Sequence, residues 1–422
     1  MLSRFVQPVY IATGLRTPFG RGGGALADHD AISLSVPLAK AMAGKARPDL
    51  FVWGTVIPSL GWSNIGREIW LDAGLDPTVP AFSVVLACST SMVAALSAAG
   101  LLGGDTDLVL VGGSEVMSNP PIGLKLDASK RIVKLFRENP AEALAALQAL
   151  TPNDLVLPVK GFANRITGRT MGDHMEETAK IWEISREAQD DWSLKSHQRA
   201  VAGWESGFFD DLVIPLPEIQ RDANPRADTS AEKLASLAPA FDKTSGKGSL
   251  TAGNSSPITD GAAACWVATA KGLERLPGGT AYAELVDHEI AAVDHGVDGL
   301  LMAPSFAIPR LLARHGLKYA DVALWEIHEA FAAQVLANVA ALEKPGWTRE
   351  RAGVDFDFGE FPWDRVNPNG GSVAIGHPFA ATGARDLSQA VKELWAMPVG
   401  SYAVISVCAD GGHGTVALLR RP

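Results

Sequence analysis

The stretch from Thr78 to Gly104 carries no charged side chain, and it must be buried in something. It is long enough to span a bilayer. Yet it contains Pro80, Ser83, Cys88, Ser89, Thr90, Ser91 and Ser97, and it divides into a strand-like AFSVVLA and a small-residue, helix-like STSMVAALSAAGLL. A buried strand followed by a core helix has this division, so the membrane span is rejected. A second buried strand run follows, TDLVLVGGSEV, from Thr106 to Val116. The same strand, helix, strand order recurs near the C-terminus as SVAIG (Ser372 to Gly376), a helix over Pro378 to Trp395, and SYAVISVC (Ser401 to Cys408). DVALWEI followed by EAFAAQVLANVAALEK adds another strand and helix. The two ends of the chain read as copies of one α/β unit, which predicts two mixed sheets layered with helices.

At 422 residues, and with roughly 150 residues per domain, two or three globular units are expected. Between the halves lies a different text, Ser118 to about Gly248, which reads as an insertion with prolines at 120, 121, 140, 152 and 158. Its IVKLFREN segment gathers Lys130, Arg131, Lys134 and Arg137, with Ile132, Val133 and Phe136 on another side. Such a helix is either a solvated face or a peripheral membrane or partner contact. A net charge of −10 argues against coating nucleic acid, and it requires any anionic ligand to meet a local basic patch. Three cysteines, Cys88, Cys265 and Cys408, cannot build a disulfide framework and suit a reducing compartment. With a strand run, Val9 to Ala12, beginning directly after Pro8, no leader is read at the start and a cytoplasmic location is expected.

Cys88 stands where a strand gives way to a helix. There the unpaired N–H groups and the macrodipole favour a thiolate, whereas a cysteine in an apolar run is more commonly a core residue. His377 lies before Pro378, at the mouth of a predicted strand–helix junction of the kind where ligands gather in α/β proteins; a helix cap or loop role is the plainer alternative. Cys408 ends the strand before ADGGHG, and His328 with Glu329 ends DVALWEI. Four reactive side chains thus fall at strand ends, a joint pattern more specific than any one residue. Other motifs fail. No GxGxxG opens a helix after a strand, no phosphate loop or GxSxG elbow occurs, and no CxxC or HExxH marks a metal site.

At these residues the chain resembles a thiolase. The resemblance runs over nearly the whole length, from GLRTPFG through CSTS, TAGNSSPITDGAAA, HEAFA and GGSVAIGHPFAATGAR to CADGGHG. HEAFA in place of the commoner NEAFA, with GHPFAATGAR, PPIGLK and MGDHMEETAK, is similar to the β-subunit class of the trifunctional fatty-acid β-oxidation complex. The resemblance implies a five-layered α-β-α-β-α fold, with residues 1–118 and 249–276 as the N-terminal half, 119–248 as an inserted, substrate-covering domain, and 277–422 as the C-terminal half.

It also implies roles. Cys88 would attack the 3-keto carbon of a 3-oxoacyl-CoA and become a thioester, His377 would take its proton and later activate CoA, and Cys408 would protonate the departing acetyl-CoA enolate. His328 would help hold a water in one oxyanion hole, and the backbone N–H groups of Cys88 and Asp410 would form another. Ser256 would lie near the pantetheine arm and Arg226 near the nucleotide phosphates, with serine before Pro257 also explicable as a turn former. Coenzyme A is a substrate here, and no metal or dissociable cofactor is implied. Partners implied are a homodimer or homotetramer and, for this class, an α subunit with hydratase and dehydrogenase activities.

Asp410 departs from the family's usual glycine and puts a carboxylate beside a developing negative charge. His413 is read as a surface turn residue, with neutralisation of Asp410 as its alternative. Ala238 replaces a common arginine. The competing functions are a biosynthetic acetoacetyl-CoA thiolase and a weakly active thiolase-like scaffold.

Overall fold

The computed structural model describes residues 5–156 and 163–422; Met1 to Arg4 and residues 157–162, with Pro158 of the insertion, lie outside the described residues. In chain order the strands are β1 (Tyr10–Ala12), β2 (Gly20–Arg21), β3 (Leu50–Gly54), β4 (Ala81–Ser83), β5 (Leu108–Glu115) and β6 (Gly123–Leu124). They continue as β7 (Leu155–Val156), β8 (Thr259–Ala268), β9 (Tyr282–Ala292), β10 (Val322–Ile327), β11 (Tyr402–Ala409) and β12 (His413–Arg420).

The two halves repeat one ladder. In the first, β3 pairs parallel with β5, and β5 pairs antiparallel with β8. In the second, β10 pairs parallel with β11, and β11 pairs antiparallel with β12. The two expected sheets are nevertheless hydrogen-bonded into one ten-stranded path, β10-β11-β12-β9-β1-β8-β5-β3-β4, with β2 beside β8. The join is β1, which pairs antiparallel with β8 on one edge and β9 on the other. A strand directs its backbone groups to both edges, so three residues suffice to bridge two halves.

Layering follows from which strand face each helix covers. Val109 and Val111 point into a central core, whereas Leu108 and Leu110 point to an outer one. The central core holds two helices, Thr90–Leu101 and Thr382–Trp395, packed on each other and covered by both halves of the sheet. Helices Ala31–Ala43 and Ile65–Asp72 cover the outer face of the first half, and Ala303–His315 and Ala332–Glu343 that of the second. The result is five layers.

This explains the uncharged stretch. A helix enclosed by two sheets and a second helix has no solvent face on which to place charge. Among the described residues, no helix is long and apolar enough to cross a membrane.

Two expected elements differ. AFSVVLA is a strand only over Ala81–Ser83, and Ser372–Ile375 is a short helix where SVAIG predicts a strand. Short, fully buried apolar runs carry no periodicity that separates the two states. Here the N–H groups of Ala374 and Ile375 both find the Gly371 carbonyl, which closes a helical turn.

The inserted segment is tied firmly to the halves. Its long helix Arg186–Glu205 packs against Ser372–Ile375 and Ala332–Glu343, burying Trp192, Ser196, His197 and Ala200. The loop that follows supplies Asp222, whose carboxylate receives both Arg16 Nη atoms at 2.6 and 2.7 Å, the Phe19 N–H at 2.8 Å and the Trp204 indole N–H at 3.2 Å. Arg16 and Asp222 have side-chain exposures of 4% and 0%. Removing one partner of such a buried pair leaves an uncompensated charge, so Asp222→Ala is expected to lower stability by about 3–5 kcal/mol in denaturant titration.

Candidate active site

Between β4 and the Thr90–Leu101 helix the chain makes a tight turn, with Ala87 at φ +43°, a left-handed conformation uncommon outside glycine. Thr90 holds the turn: its hydroxyl donates to the Ala87 carbonyl at 2.7 Å and accepts the Leu86 N–H at 2.9 Å. Ser89, the residue before the helix, donates through Oγ to the Val407 carbonyl and accepts from Thr415 Oγ1, each at 3.0 Å. These bonds cross from one half to the other. They bring Cys88 alongside β11, which carries Cys408.

His377 does not follow a strand; it follows the short helix Ser372–Ile375 and Gly376. Gly376 has φ +117°, and a Cβ there would lie 2.7 Å from Thr259 Cγ2 and 2.9 Å from Asn224 Nδ2. The His377 N–H donates to Thr259 Oγ1 at 2.7 Å, which fixes the backbone. Its imidazole spans two partners, Thr382 Oγ1 at 2.6 Å from Nδ1 and the Cys88 sulfur at 3.1 Å from Nε2.

His328 comes directly after β10, and its N–H prolongs the ladder by bonding the Ser406 carbonyl at 2.8 Å. Its ring centroid lies 4.2 Å from that of His377. Nδ1 is 2.9 Å from Ser372 Oγ, while Nε2 is buried without a hydrogen-bond partner.

Ligand atoms of Cys88, His328 and His377 all lie within 4.8 Å of one another, close enough to hold a metal ion. The sulfur–nitrogen hydrogen bond, with a third group orienting the base, is equally the arrangement of a nucleophile and its base.

The charge state differs from the thiolate expected at a helix N-terminus. Burial and the nearby Asp410 carboxylate push the Cys88 thiol up to about 12. The backbone N–H groups of Cys88 and Asp410 pull the other way without prevailing. Burial, reinforced by the Arg385 charge, brings His377 down to about 3. His328 is depressed well below the usual histidine range by burial, by His377 and by Arg385. Cys408 is raised by burial and by Cys88. Thiol and imidazole are therefore both neutral at rest, and the thiolate forms only when a proton crosses the 3.1 Å bond. Cys265 lies in the central core at 0% exposure, away from this group.

Asp410 follows β11. Its carboxylate accepts from Asn164 Nδ2 at 2.9 Å and from the Gly411 N–H at 2.6 Å. Asn164 is 7% exposed and belongs to the inserted segment, which thus reaches the site. His413 opens β12 instead of lying in a turn, and no ion pair joins it to Asp410 among the described residues.

Beside the site is an open cleft lined by Arg21, His197, Arg226, Lys233, Ser255 and Pro257, among others. Ser256 itself is partly exposed; its N–H donates to the Ala330 carbonyl, and its two neighbours face the cleft. The Arg226 N–H donates to His197 Nδ1 at 3.2 Å, and burial with the Arg226 charge lowers His197 to about 4.

Sequence reasoning missed the residues that hold the reactive ones. Thr382 and Arg385 stand in GHPFAATGAR and Ser372 in GGSVAIG, motifs whose order was read without assigning these members. Glu329 of HEAFA is a buried carboxylate receiving Trp192 Nε1, Ser196 Oγ, Asn367 Nδ2 and the Val373 N–H. It pins the ends of three segments around the two histidines. Asn164 offered no signal.

Two family descriptions match the chain, "Thiolase, N-terminal domain" over residues 9–271 and "Thiolase, C-terminal domain" over 279–421. The 3-ketoacyl-CoA thiolases of Yersinia pestis (strain Pestoides F) and Yersinia pseudotuberculosis serotype O:1b are each 36% identical to it, over 99% of this chain and 98% of theirs. Among solved structures, acetyl-CoA acetyltransferase of Bacillus anthracis superposes with a TM-score of 0.80 at 31% identity, covering 100% of both chains. A thiolase from Ascaris suum in complex with coenzyme A gives 0.79 at 27%, covering 99% of this chain and 100% of that one. Human mitochondrial 3-ketoacyl-CoA thiolase also gives 0.79 at 27%, covering 99% of each chain. With its doubled α/β architecture and the convergence of Cys88, His377, His328 and Cys408, this chain belongs to the thiolase family.

Proposed function

We propose that this chain catalyses thiolytic cleavage of 3-oxoacyl-CoA by CoA, as a 3-ketoacyl-CoA thiolase, with Cys88 as the acylated group. The observation that carries the assignment of roles is the bond between the Cys88 thiol and His377 Nε2, beside a second cysteine and two backbone donors. His377 takes the Cys88 proton as the sulfur attacks the 3-keto carbon. The oxyanion forms against the N–H groups of Cys88 and Asp410. As the C2–C3 bond breaks, its electron pair goes to the acetyl-CoA enolate, and Cys408 gives C2 a proton.

The imidazolium proton of His377 then restores the Cys408 thiol. In the second half-reaction His377 accepts the proton of the incoming CoA thiol, CoA attacks the thioester, and Cys88 leaves and recovers that proton. Coenzyme A enters as substrate, and the scheme uses no metal or redox cofactor. Arg226, with Arg21 and Lys233, lines a basic cleft suited to its phosphates, and Ser256, whose two neighbours line the same cleft, is the residue we assign to the pantetheine arm.

The reading extends to assembly. Among the described residues β4 is one end of the sheet and Val85, three residues before Cys88, is 61% exposed, which supports pairing of two copies along this edge. In the inserted hairpin, Leu126 and Phe136 of one helix and Leu144 of the next are 67%, 49% and 58% exposed, whereas Ala128 and Ile132 are buried. That face supports the peripheral contact, with a membrane or an α subunit, that the basic helix suggests. Acyl chain length separates this enzyme from an acetoacetyl-CoA thiolase, and turnover of acetoacetyl-CoA alone would favour the latter.

Three outcomes are expected. With CoA and 3-oxoacyl-CoAs of increasing length, the wild type releases acetyl-CoA, and Cys88→Ala lowers the rate by more than about 1,000-fold. No turnover at any chain length by the wild type would overturn the reading. Asp410→Asn leaves the burial that chiefly raises the thiol but removes the charge that adds to it, so iodoacetamide should alkylate Cys88 severalfold faster at pH 8.

The third outcome concerns acid stability. His377, at about 3, and His197, at about 4, bind protons more weakly folded than unfolded, so they stabilise fully above 6.5 and lose this as pH falls. Glu115 and Asp386, both raised to about 7, act oppositely: they gain stability as pH falls from 7 toward their ordinary 4.5 and 3.8. The thermal midpoint should therefore change little between pH 7 and 4.5, where the two trends oppose each other, and fall between about 4 and 3, where the carboxyl gain has ended and His377 is still taking up its proton, as followed by calorimetry.

A further inference from the structure

The proton on His328 can be located from its neighbours. Arg385 Nη2 lies 3.0 Å from Ser372 Oγ, and that oxygen lies 2.9 Å from His328 Nδ1. A guanidinium only donates, so Ser372 Oγ is an acceptor toward Arg385 and has one hydroxyl proton left to place. Ser372, Arg385 and His328 are 0%, 3% and 0% exposed, so water does not offer the alternative acceptor that it would at a surface. The neighbour within reach that can receive this proton is His328 Nδ1. An imidazole that accepts at Nδ1 and is neutral must carry its own proton on Nε2. Nε2 is the buried atom without a protein partner, on a ring 4.2 Å from that of His377.

We propose that Arg385 and Ser372 are positioning residues that lock His328 in the Nε2–H tautomer, so that it serves the site as a fixed hydrogen-bond donor and not as a second base. The two histidines are then complementary. His377 presents a lone pair at Nε2 to the Cys88 thiol, with its Nδ1 proton on Thr382 Oγ1, and His328 presents a proton. The partner of that proton is the thioester oxygen of the acetyl-CoA enolate, directly or through one water, where negative charge develops.

The groups around Arg385 hold it in place. Its Nη2 is also 2.5 Å from Asp386 Oδ1, Nη1 is 3.8 Å from Glu326 Oε2, and Gln389 Oε1 is 3.5 Å from Nη1. Burial, reinforced by the positive charge of Arg385, keeps both imidazoles from protonating.

The inference rests on the thiolase reading of the site, but its primary test does not need turnover. In full-length protein labelled with 15N-histidine, His328 should show Nε2 in the protonated, pyrrole-type range and Nδ1 in the unprotonated range at pH 7, assigned by the signals lost in His328→Gln. Ser372→Ala should convert His328 partly or wholly to the other tautomer, and Ser372→Thr should restore it. In the assay, Ser372→Ala should lower kcat by about 10-fold or more with KM for the 3-oxoacyl-CoA changed less than about 2-fold, a loss smaller than the 100- to 1,000-fold typical of deleting an oxyanion donor.

A wild type with His328 protonated on Nδ1 overturns the proposal, as does a folded Ser372→Ala with an unchanged tautomer and kcat. If Ser372→Ala does not fold, the wild-type spectrum and Ser372→Cys, which keeps the volume but donates weakly, decide the same question. An inactive wild type that still shows Nε2–H His328 would sink the catalytic reading and leave the proton assignment standing. An active wild type with Nδ1–H His328 would do the reverse.

Discussion

The distance between Cys88 and His377 is set by how closely two helices can approach. Cys88 lies two residues before the Thr90–Leu101 helix and His377 five before Thr382–Trp395, and these are the two helices of the central layer. At their crossing, a Cβ on Gly383 would lie 2.4 Å from the Met92 backbone nitrogen, so the backbones meet with no side chain between them. Ser91 Oγ accepts the Ala384 N–H at 2.8 Å across the same contact. Alanine, serine and glycine in STSMVAALSAAG and AATGA are therefore not filler. They allow one half of a duplicated protein to place a nucleophile within a hydrogen bond of a base supplied by the other half.

That geometry has an electrostatic consequence. A site formed at the centre of five layers is dry, and dryness disfavours charge on either member of the pair. A helix N-terminus alone would point to a thiolate, but the helix favours negative charge by a modest amount, whereas complete desolvation costs far more. The protein therefore holds a neutral thiol against a neutral imidazole and supplies stabilisation where charge will appear. The N–H groups of Cys88 and Asp410 already favour negative charge on the sulfur, and the Arg385 charge disfavours a proton on either histidine. Charge separation is deferred until substrate binds. The same dryness explains why Glu115, Glu326, Asp386 and Glu393 all have raised pKa values around the central layer.

Much of this was legible in the sequence because burial leaves a compositional mark. The uncharged run, the repeated strand, helix, strand order and the motif series around Cys88, His328, His377 and Cys408 follow from residues that must sit inside. What was illegible falls into two physical classes. SVAIG was misread because a run buried on every side has no polar face from which to count a period. The second class is the polar residues that orient others. Thr382, Ser372, Thr259 and Asn164 look like ordinary turn or cap formers, and only the fold shows which atom each one faces. The join of the two halves through β1 was hidden for a related reason, since three residues carry no sign of pairing on both edges.

The inserted segment shows how a departure from family pattern is accommodated. A carboxylate at Asp410 faces a site where negative charge develops, and its field raises the Cys88 thiol. Its hydrogen bonds lead elsewhere: one to Asn164 of the insertion, whose own Oδ1 is occupied by the N–H groups of Ile166 and Thr167, and one to the Gly411 N–H. Both bonds converge on Oδ1, which holds the carboxylate in one orientation and the backbone N–H of the same residue with it. The side chain that opposes the reaction electrostatically thus also fixes the donor that assists it. Replacing it by glycine would remove the charge and release the turn together, so its two effects separate only in a variant that keeps the hydrogen bonds and loses the charge.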